Sequence, residues 1–308
     1  MTPAAGASLD VTIEGRRLKL SNLDKMLYPD AGFTKGEVID YYTRIAPVLL
    51  PHLRRRPLTL KRYPNGVDQH FFYEKNCPKH RPEWVSTVGV WSQRNQADVN
   101  YCLADDLPTL VWVANLASLE LHTQLSHASD VQRPTMVVFD LDPGPPATVV
   151  ECAQVALWLR ELLDDLGGLQ AFPKTSGSKG LQVYVPLNTP VTYSDTKPFA
   201  HALARLLEER HPRHVLSVMT KELRKGKVFI DWSQNDDSKT TVCVYSLRAR
   251  PRPTVSTPVT WDEVEEAAGS GDPATLSFEA GEVLARVERH GDLFAPVAAL
   301  EQALPASR

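Results

Sequence analysis

The segment 137–144, VVFDLDPG, constrains the fold of this chain more than any other stretch. An apolar run that ends in Pro-Gly predicts a buried β-strand followed by a turn. Because successive side chains of a strand point to opposite faces, Asp140 and Asp142 should share one face while Phe139 and Leu141 point into the core. Two carboxylates on one face repel each other unless a cation lies between them. The segment therefore predicts a site for a hard divalent ion, Mg²⁺ or Mn²⁺, at a strand end.

An Asp-x-Asp pair alone is not specific, since glycosyltransferases, phosphatases, nucleases and ordinary surface strands also contain it. A third carboxylate narrows the choice. Asp231 ends a second apolar run, KVFID at 227–231. Three aspartates from two strands are the minimum that holds two divalent ions about 3.5–4 Å apart. This combination favours phosphoryl or nucleotidyl transfer.

The loop KTSGSKG at 174–180 is a candidate phosphate-binding segment. Its glycines and serines allow backbone N–H groups to approach a phosphate closely, and Lys179 supplies positive charge. The loop lacks the G-x-x-x-x-G-K-[ST] spacing of a P-loop, which excludes a P-loop ATPase. A simple turn remains the alternative.

Composition is that of a globular protein, with 308 residues of which 43% are hydrophobic. No apolar stretch has the length of a membrane span and the N-terminus lacks signal-peptide features, so we predict a cytoplasmic protein. The four cysteines are widely spaced and fit a reducing compartment better than a disulfide framework. Cys77 and His80 resemble half of a zinc site, but no second half follows.

Charge is segregated along the chain despite a formal net charge of only −3. Residues 16–62 contain eleven Lys or Arg and four acids, whereas residues 261–304 contain ten acids and two Arg. This asymmetry predicts a basic face for a polyanion, with an ordinary solvated surface as the alternative.

Periodicity predicts a mixture of helices and strands. A helix should begin at the capping box of Thr34 and Glu37 and end at Pro47. Further helices are predicted at 107–125, 149–166 and 197–210, and strands at 135–142, 181–186, 227–232 and 240–247. Because the elements do not alternate strictly, the pattern favours an α+β fold, with one compact unit of two lobes.

Several longer motifs, in this order, carry a family resemblance: LSNLDK (20–25), KRYPNG (61–66), the Asp-Leu-Asp-Pro-Gly strand, the Thr-Ser-Gly-Ser-Lys-Gly loop, FIDWSQN (229–235) and YSLR (245–248). The chain resembles the polymerase domain of bacterial ATP-dependent DNA ligase D, a member of the archaeo-eukaryotic primase superfamily. The resemblance implies a primase-like fold of two β-sheets flanked by helices, with an RRM-like catalytic core. Within one domain spanning 1–308, it implies a basic 5′-phosphate- and DNA-binding lobe (1–130), a catalytic core (131–260) and an acidic helical segment (261–308).

Roles for individual residues follow from the same resemblance. Asp140, Asp142 and Asp231 would be the catalytic ligands of two divalent ions, with Asp231 also activating a primer 3′-hydroxyl. Six side chains would bind the incoming nucleotide: His122, Ser176, Lys179, Gln182, Lys239 and Arg248. Lys25 and Lys35 would bind a DNA 5′-phosphate, and the remaining DNA contacts would come from Arg62, Phe71, Phe72 and Arg224.

The implied activity is template-dependent addition of nucleotides, preferably ribonucleotides, to 3′-ends at short gaps and breaks that carry a 5′-phosphate, in non-homologous end joining or gap repair. The implied cofactor is Mn²⁺ or Mg²⁺, the substrates are NTPs or dNTPs with DNA, and Ku and a DNA ligase are possible protein partners at the bacterial nucleoid. A DNA end-binding or synapsis module with weak catalysis, and a de novo primase, are the alternatives. Since no Lys-x-Asp-Gly ligase motif follows, we expect a stand-alone relative or an excised domain.

One position departs from the family pattern. The motif usually ends Lys-Gly-Leu-His, whereas here Gln182 replaces the histidine. A glutamine amide donates a hydrogen bond but carries no charge. The replacement predicts weaker nucleotide binding or a greater need for Mn²⁺.

Overall fold

The computed structural model describes residues 8–93 and 95–305, which cluster into two compact units. The first unit comprises the described residues up to Thr123 together with Tyr245–Val255 and Glu279–Gly291. The second comprises Gln124–Val244, Ser256–Phe278 and the described residues from Asp292 onward. Within the described ranges, no helix is long and apolar enough to cross a membrane. The assignment of separate roles to 1–130, 131–260 and 261–308 stays a prediction.

The helices are α1 (Lys35–Leu53), α2 (Leu107–Asn115), α3 (Val149–Asp165), α4 (Tyr193–Arg210), α5 (Trp261–Ser270), α6 (Ala280–His290) and α7 (Ala295–Ala299). The predicted helices at 149–166 and 197–210 are confirmed, although α4 begins four residues early. It does so because the backbone N–H of Thr192 donates to the Asp195 carboxylate, which caps the helix there.

Helix α1 begins where its capping box predicts. The Thr34 hydroxyl accepts from the Glu37 backbone N–H, and the Thr34 N–H donates to the Glu37 carboxylate. The predicted end at Pro47 is wrong, since the helix continues to Leu53. Proline removes one backbone donor, but the turns that follow it bury Leu49 and Leu53, and this packing keeps the segment helical.

The strands of the first unit are β1 (Ser8–Ile13), β2 (Arg16–Ser21), β3 (Met26–Tyr28), β4 (Phe33–Thr34), β5 (Leu58–Arg62), β6 (Phe72–Glu74), β7 (Thr87–Ser92), β8 (Ala97–Cys102) and β9 (Ser118–Thr123). Strands β1 and β2 form one hairpin, and β3 pairs with β4. The main sheet has the order β9-β5-β8-β7, with β6 also pairing with β5. Strands β6 and β9 therefore both pair with β5, on its two opposite sides.

The prediction of one buried helix at 107–125 is wrong. Helix α2 ends at Asn115, Ala117 turns the chain with φ +57°, and β9 follows. A continuous apolar run fits a buried helix and a buried strand equally well, so periodicity could not separate them. The correction matters because Glu120 and His122, two residues apart on a strand, share one face.

The strands of the second unit are β10 (Ser126–His127), β11 (Asp130–Pro134), β12 (Met136–Pro143), β13 (Phe172–Thr175), β14 (Leu181–Pro186), β15 (Val215–Leu216), β16 (Val228–Asp231) and β17 (Thr241–Val242). Its sheet has the order β13-β14-β12-β16-β15 and is antiparallel except for the β15–β16 pair. The strands predicted at 135–142, 181–186 and 227–232 are confirmed. The strand predicted at 240–247 is limited to β17, because Tyr245 has φ +62° and cannot continue an extended run.

The core of the second unit lies between this sheet and helices α3 and α4. Val137, Phe139 and Leu141 of β12 enter that core, together with Val155 and Leu159 of α3. Asp140 and Asp142 alternate with these residues and are only partly buried. The prediction that both aspartates share one face of a strand is confirmed, and so is the mixed α+β class.

Two of the four cysteines form a disulfide, contrary to the sequence-based expectation. Cys77 is bonded to Cys102 across a separation of 25 residues. The backbone N–H of Cys77 donates to the Asn100 carbonyl, which holds this loop against β8 and brings the sulfurs together. Since its sulfur is in the disulfide, Cys77 is not a zinc ligand.

Candidate active site and nucleic-acid interface

Four polar side chains form a row across the sheet of the second unit. In the pairing registers, Lys174 of β13 lies opposite Gln182 of β14, Gln182 opposite Asp140 of β12, and Asp140 opposite Asp231 of β16. Directly opposed residues have Cβ atoms about 4.5–5.5 Å apart, so each member of the row reaches the next. Asp142 lies on the same face, two residues from Asp140. The three predicted carboxylates therefore meet at one place on two paired strands.

Lys174 begins this row and is completely buried. Its ammonium donates to the Gln182 side-chain oxygen at 2.5 Å, to the Ser256 hydroxyl at 2.7 Å and to the Val242 carbonyl at 3.2 Å. With its oxygen held by Lys174, the Gln182 amide has its N–H donors left for Asp140. A buried ammonium is thus connected to the carboxylates through one amide.

The negative charges of Asp140, Asp142 and Asp231 repel one another. Burial, followed by the negative charge of Asp142, raises the pKa of Asp140 to about 7, and Asp231 adds to the rise. The hydrogen bond from Gln182 and the charge of Lys174 oppose it. A divalent cation among the three carboxylates would remove this repulsion, and oxygen donors are the ligands that Mg²⁺ and Mn²⁺ take.

Asp231 is held by its own turn. One carboxylate oxygen accepts from the Ser233 backbone N–H and hydroxyl, and the other accepts from the Gln234 amide at 2.9 Å. In the described parts of the chain, no three His, Cys, Asp or Glu side chains already stand in a metal-binding arrangement. The three carboxylates are ligands that fit a divalent ion. To bind it, Asp231 would lose one of these hydrogen bonds.

The predicted phosphate loop is tightly folded against β12. The Ser176 hydroxyl accepts from the backbone N–H groups of Ser178 and Gly180. A Cβ atom at Gly180 would lie 2.3 Å from the Leu141 carbonyl oxygen, so only glycine fits there. Lys179 is exposed at the tip of this loop, and Lys239 is exposed in the turn before β17.

Arg224 lies in a loop whose base is fixed to the end of β12. The Gly144 N–H donates to the Lys227 carbonyl, and the Gly226 N–H donates to the Gly144 carbonyl. A Cβ atom at Gly144 would lie 1.9 Å from the Arg224 carbonyl oxygen. The guanidinium of Arg224 is 3.9 Å from the centroid of the Phe229 ring, on the strand that carries Asp231.

The first unit contains the other two predicted nucleotide-binding residues, His122 and Arg248. Both contact Glu120, which is only 2% exposed. His122 Nε2 is 2.9 Å and Arg248 Nε 3.4 Å from the same oxygen, Glu120 Oε2. Lys61 Nζ lies 3.2 Å from Glu120 Oε1. Burial acts against ionisation, but the bond with His122 and the charges of Arg248 and Lys61 hold the pKa of Glu120 well below its usual range.

An exposed aromatic patch lies beside this cluster. Phe71 is 43% exposed, and Phe72 and Tyr73 are also exposed. The Lys61 ammonium lies 4.5 Å from the Phe71 ring centroid and 5.6 Å from that of Tyr73. Arg62 lies 5.2 Å from the Phe72 ring and pairs with Glu74 at 2.7 Å. The two phenylalanines are surface residues, and a cation lies against each ring.

Lys25, Lys35 and Arg62 line one cavity of about 530 Å³ in the first unit, together with Arg17, Lys19 and His80. Lys25 donates to the Asn65 side chain, and Lys35 to the Ser21 carbonyl at 2.6 Å. Burial, followed by the charges of Lys25 and Arg62, lowers the pKa of Lys35 to about 8. This cavity, called the basic pocket below, has the charge and size to hold a phosphate group.

Sequence reasoning missed several residues of these sites. Glu120 was not recognised because the sequence predicted a helix at 107–125. In a strand, the Glu-x-His spacing places Glu120 and His122 on one face. Lys174 was predicted to belong to the candidate phosphate-binding loop, and only the strand register places it opposite Gln182. Arg17 and Lys19 belong to the basic segment that the sequence predicted, whereas His80 joins the basic pocket through folding alone, with no motif to identify it.

Comparison with known proteins gives a consistent result. The sequence model of a family described as the LigD primase-polymerase domain matches residues 34–294. The multifunctional non-homologous end joining protein LigD of Mycolicibacterium smegmatis is 44% identical over 283 residues, covering 91% of this chain and 36% of that protein. The bifunctional non-homologous end joining protein LigD of Bacillus subtilis is 30% identical over 89% of this chain and 43% of that protein. The chain thus spans well under half the length of these relatives.

A solved structure matches the fold as well. The polymerase domain from Mycobacterium tuberculosis ligase D, in complex with DNA, superimposes with a TM-score of 0.85 at 42% sequence identity. The match covers 93% of this chain and 99% of that one.

Proposed function

This chain belongs to the family of LigD primase-polymerase domains, which are nucleotidyltransferases of non-homologous end joining, and from this premise we propose that it adds nucleotides to DNA 3′-ends under the direction of a template. The preferred substrates are ribonucleoside triphosphates at short gaps or breaks with a 5′-phosphate. The observation that carries the proposal is the meeting of Asp140, Asp142 and Asp231 on paired strands, with the pKa of Asp140 raised by burial and by its acidic neighbours.

Two divalent ions, Mn²⁺ or Mg²⁺, would be held by these three aspartates. When bound, they would supply Lewis-acid activation of the primer 3′-hydroxyl and neutralise triphosphate charge. Asp231 is the candidate acceptor of the hydroxyl proton. Gln182 orients the Asp140 carboxylate through its amide, with Lys174 holding the amide oxygen.

In the second unit, the residues proposed to contact a triphosphate are Ser176, Lys179, Gln182 and Lys239. In the first unit, the residues proposed to do so are His122 and Arg248. The support is chemical, because cationic side chains form charge-assisted bonds that strengthen as negative charge develops during transfer. The Ser176 hydroxyl is held by the backbone N–H groups of Ser178 and Gly180, in a fold too tight for a larger residue at Gly180.

DNA is proposed to bind through the basic pocket and the aromatic patch of Phe71, Phe72 and Tyr73. Lys25 and Lys35 would take the 5′-phosphate, Arg62 and Arg224 would contact the strands, and the exposed rings would stack on template bases. Such stacking is worth about 1–3 kcal/mol per base and tolerates any sequence. Ku and a DNA ligase are the proposed protein partners, and the nucleoid is the proposed location.

Replacing both Lys25 and Lys35 with Ala should abolish the preference for 5′-phosphorylated gaps. Two charge-assisted contacts are lost, so we expect the affinity ratio between phosphorylated and unphosphorylated gaps to fall by about tenfold or more. Gapped duplexes that differ only in the 5′-phosphate measure this in a binding titration. Arg44→Ala is the control, because Arg44 is an exposed cation of the same basic segment that pairs with Asp40 and Glu288. Equal losses on both duplexes would show general backbone contacts instead.

The same preference should depend on pH through Lys35. Since burial lowers the pKa of Lys35 to about 8, its charge is present at pH 7 and mostly lost by pH 9. The phosphate preference should therefore decrease over this interval as the pH rises. Lys35→Ala should give a low and flat profile. Lys25→Ala should keep the decrease but move it to higher pH, because the charge of Lys25 helps to lower the pKa of Lys35. A flat wild-type profile would contradict the assignment.

Gln182→His should raise nucleotide affinity or turnover, as the family pattern suggests. The gain should be modest, because Lys174 already places a positive charge 2.5 Å from the Gln182 oxygen. Steady-state kinetics in Mg²⁺ and in Mn²⁺ measure it, with Gln182→Asn as the control of equal charge. No gain in either metal would show that the missing histidine is not the limiting feature.

Primer extension tests the proposed function against its alternatives. Extension of a labelled primer on a template distinguishes an enzyme from an end-binding module. Products on an unprimed template would favour a primase. Among residues 8–93 and 95–305, no contact favours these alternatives over the gap-filling polymerase.

A further inference from the structure

Glu120 is a buried carboxylate at the centre of the proposed triphosphate-binding residues of the first unit. Its Oε1 accepts from the Ala249 backbone N–H and faces Lys61 Nζ, each at 3.2 Å. Its Oε2 faces His122 and Arg248. Two cations, Lys61 and Arg248, and the His122 ring therefore converge on one acid, and two positive charges against one negative leave an excess for an anion.

The hydrogen bond to Glu120 determines which nitrogen of His122 carries the proton. A carboxylate only accepts, so His122 Nε2, at 2.9 Å, must be the donor. In a neutral ring the other nitrogen, Nδ1, is then an acceptor. A phosphate oxygen also only accepts, so the neutral ring has no proton to offer it.

The surroundings keep the ring neutral before an anion arrives. The His122 side chain is 12% exposed. Burial, with the nearby charges of Arg248 and Lys61, lowers the pKa of His122, and Glu120 opposes this only in part. Two tyrosines are further titratable neighbours of this cluster: the Tyr73 ring packs edge-on against His122 with centroids 6.0 Å apart, and Tyr63 hydrogen-bonds to Glu120. A triphosphate adds the negative charge that would balance a second ring proton.

We propose that nucleotide binding at His122 is coupled to the uptake of one proton by this histidine, and that Glu120 is the positioning residue that makes the uptake necessary. The inference rests on the proposed function, which assigns His122 to the triphosphate. Binding should weaken as the pH rises, by at most about tenfold per pH unit, the limit for one linked proton.

The test is calorimetric titration of the full chain with ATP and Mg²⁺ at pH 7, without DNA so that no transfer occurs. Repeating it in two buffers of different ionisation enthalpy gives the number of protons taken up. Protonation changes of ATP itself are common to all variants, so differences between variants report on the protein. The variants are His122→Gln and Glu120→Gln, with Glu74→Gln as the control, because Glu74 pairs with a cation of the same sheet, Arg62.

Wild type and Glu74→Gln should take up more protons than His122→Gln, by up to about one per ATP. Glu120→Gln should also lose the excess, because without the carboxylate the neutral ring can carry its proton on Nδ1 and donate directly. If Glu120→Gln does not fold, the difference in proton uptake between wild type and His122→Gln still tests the inference. ATP binding with equal uptake in wild type and His122→Gln would overturn the inference and leave the proposed function standing. No ATP binding by wild type would overturn both.

Discussion

Asp140→Asn should abolish nucleotide addition and at the same time make the protein more stable at pH 8. Losing one of three metal-holding carboxylates removes several kcal/mol of stabilisation from the transition state, so we expect turnover to fall by about 10³-fold or more. Stability should rise because the uncharged amide no longer repels Asp142 and Asp231. Primer extension and thermal unfolding in a chelator measure the two effects.

The sign of the stability change follows from the protonation of Asp140. Because its pKa is raised in the folded state to about 7, above that of an unfolded chain, wild type loses stability as the pH rises from about 4 to 7. The stabilisation by Asn should therefore be present at pH 8 and absent near pH 4. Asp165→Asn, at an exposed position ending α3, should change neither quantity appreciably. A destabilised Asp140→Asn variant, or one with normal activity, would contradict this account of the site.

Lys174→Ala should cause the largest loss of stability among single substitutions near the site. The change removes three buried hydrogen bonds, to Gln182, Val242 and Ser256, and opens a cavity where the side chain was. The Gln182 oxygen keeps only a longer bond from the Tyr184 hydroxyl, at 3.3 Å. We expect the free energy of unfolding to fall by about 3 kcal/mol. Urea unfolding at pH 7 measures it.

Two further variants separate packing from charge. Lys174→Met fills the same volume, so it should recover part of the lost stability while lowering activity, because Gln182 is no longer held toward Asp140. Lys179→Ala removes an exposed lysine a few residues along the same loop and should leave stability nearly unchanged. Equal stability of Lys174→Ala and Lys179→Ala would show that the buried ammonium contributes nothing to folding.

The catalytic strand could be predicted from sequence because two independent patterns agree there. Apolar alternation places Phe139 and Leu141 inside and the two aspartates on the other face, and Pro-Gly ends the run. The capping box of Thr34 and Glu37 likewise predicted the start of α1, because these two residues satisfy the first backbone donors of the helix.

The missed features depend on contacts between distant residues. The segment that contains Glu120 is apolar enough for either a helix or a strand, and its pairing with β5, Lys61 opposite Glu120, is a tertiary choice. Lys174 is buried only because β14 and the segment around Ser256 lie against it. The Cys77–Cys102 bond depends on a backbone contact with Asn100, which spacing along the chain does not encode.

The most direct measurement is the extension of a labelled primer in a short gap with a downstream 5′-phosphate, in Mn²⁺, with ribonucleotides and deoxyribonucleotides compared. Wild type should add nucleotides, ribonucleotides more readily, and an Asp140→Ala/Asp142→Ala variant should add none. If wild type binds the phosphorylated gap tightly but adds nothing with either nucleotide, the polymerase account is wrong and an end-binding module replaces it.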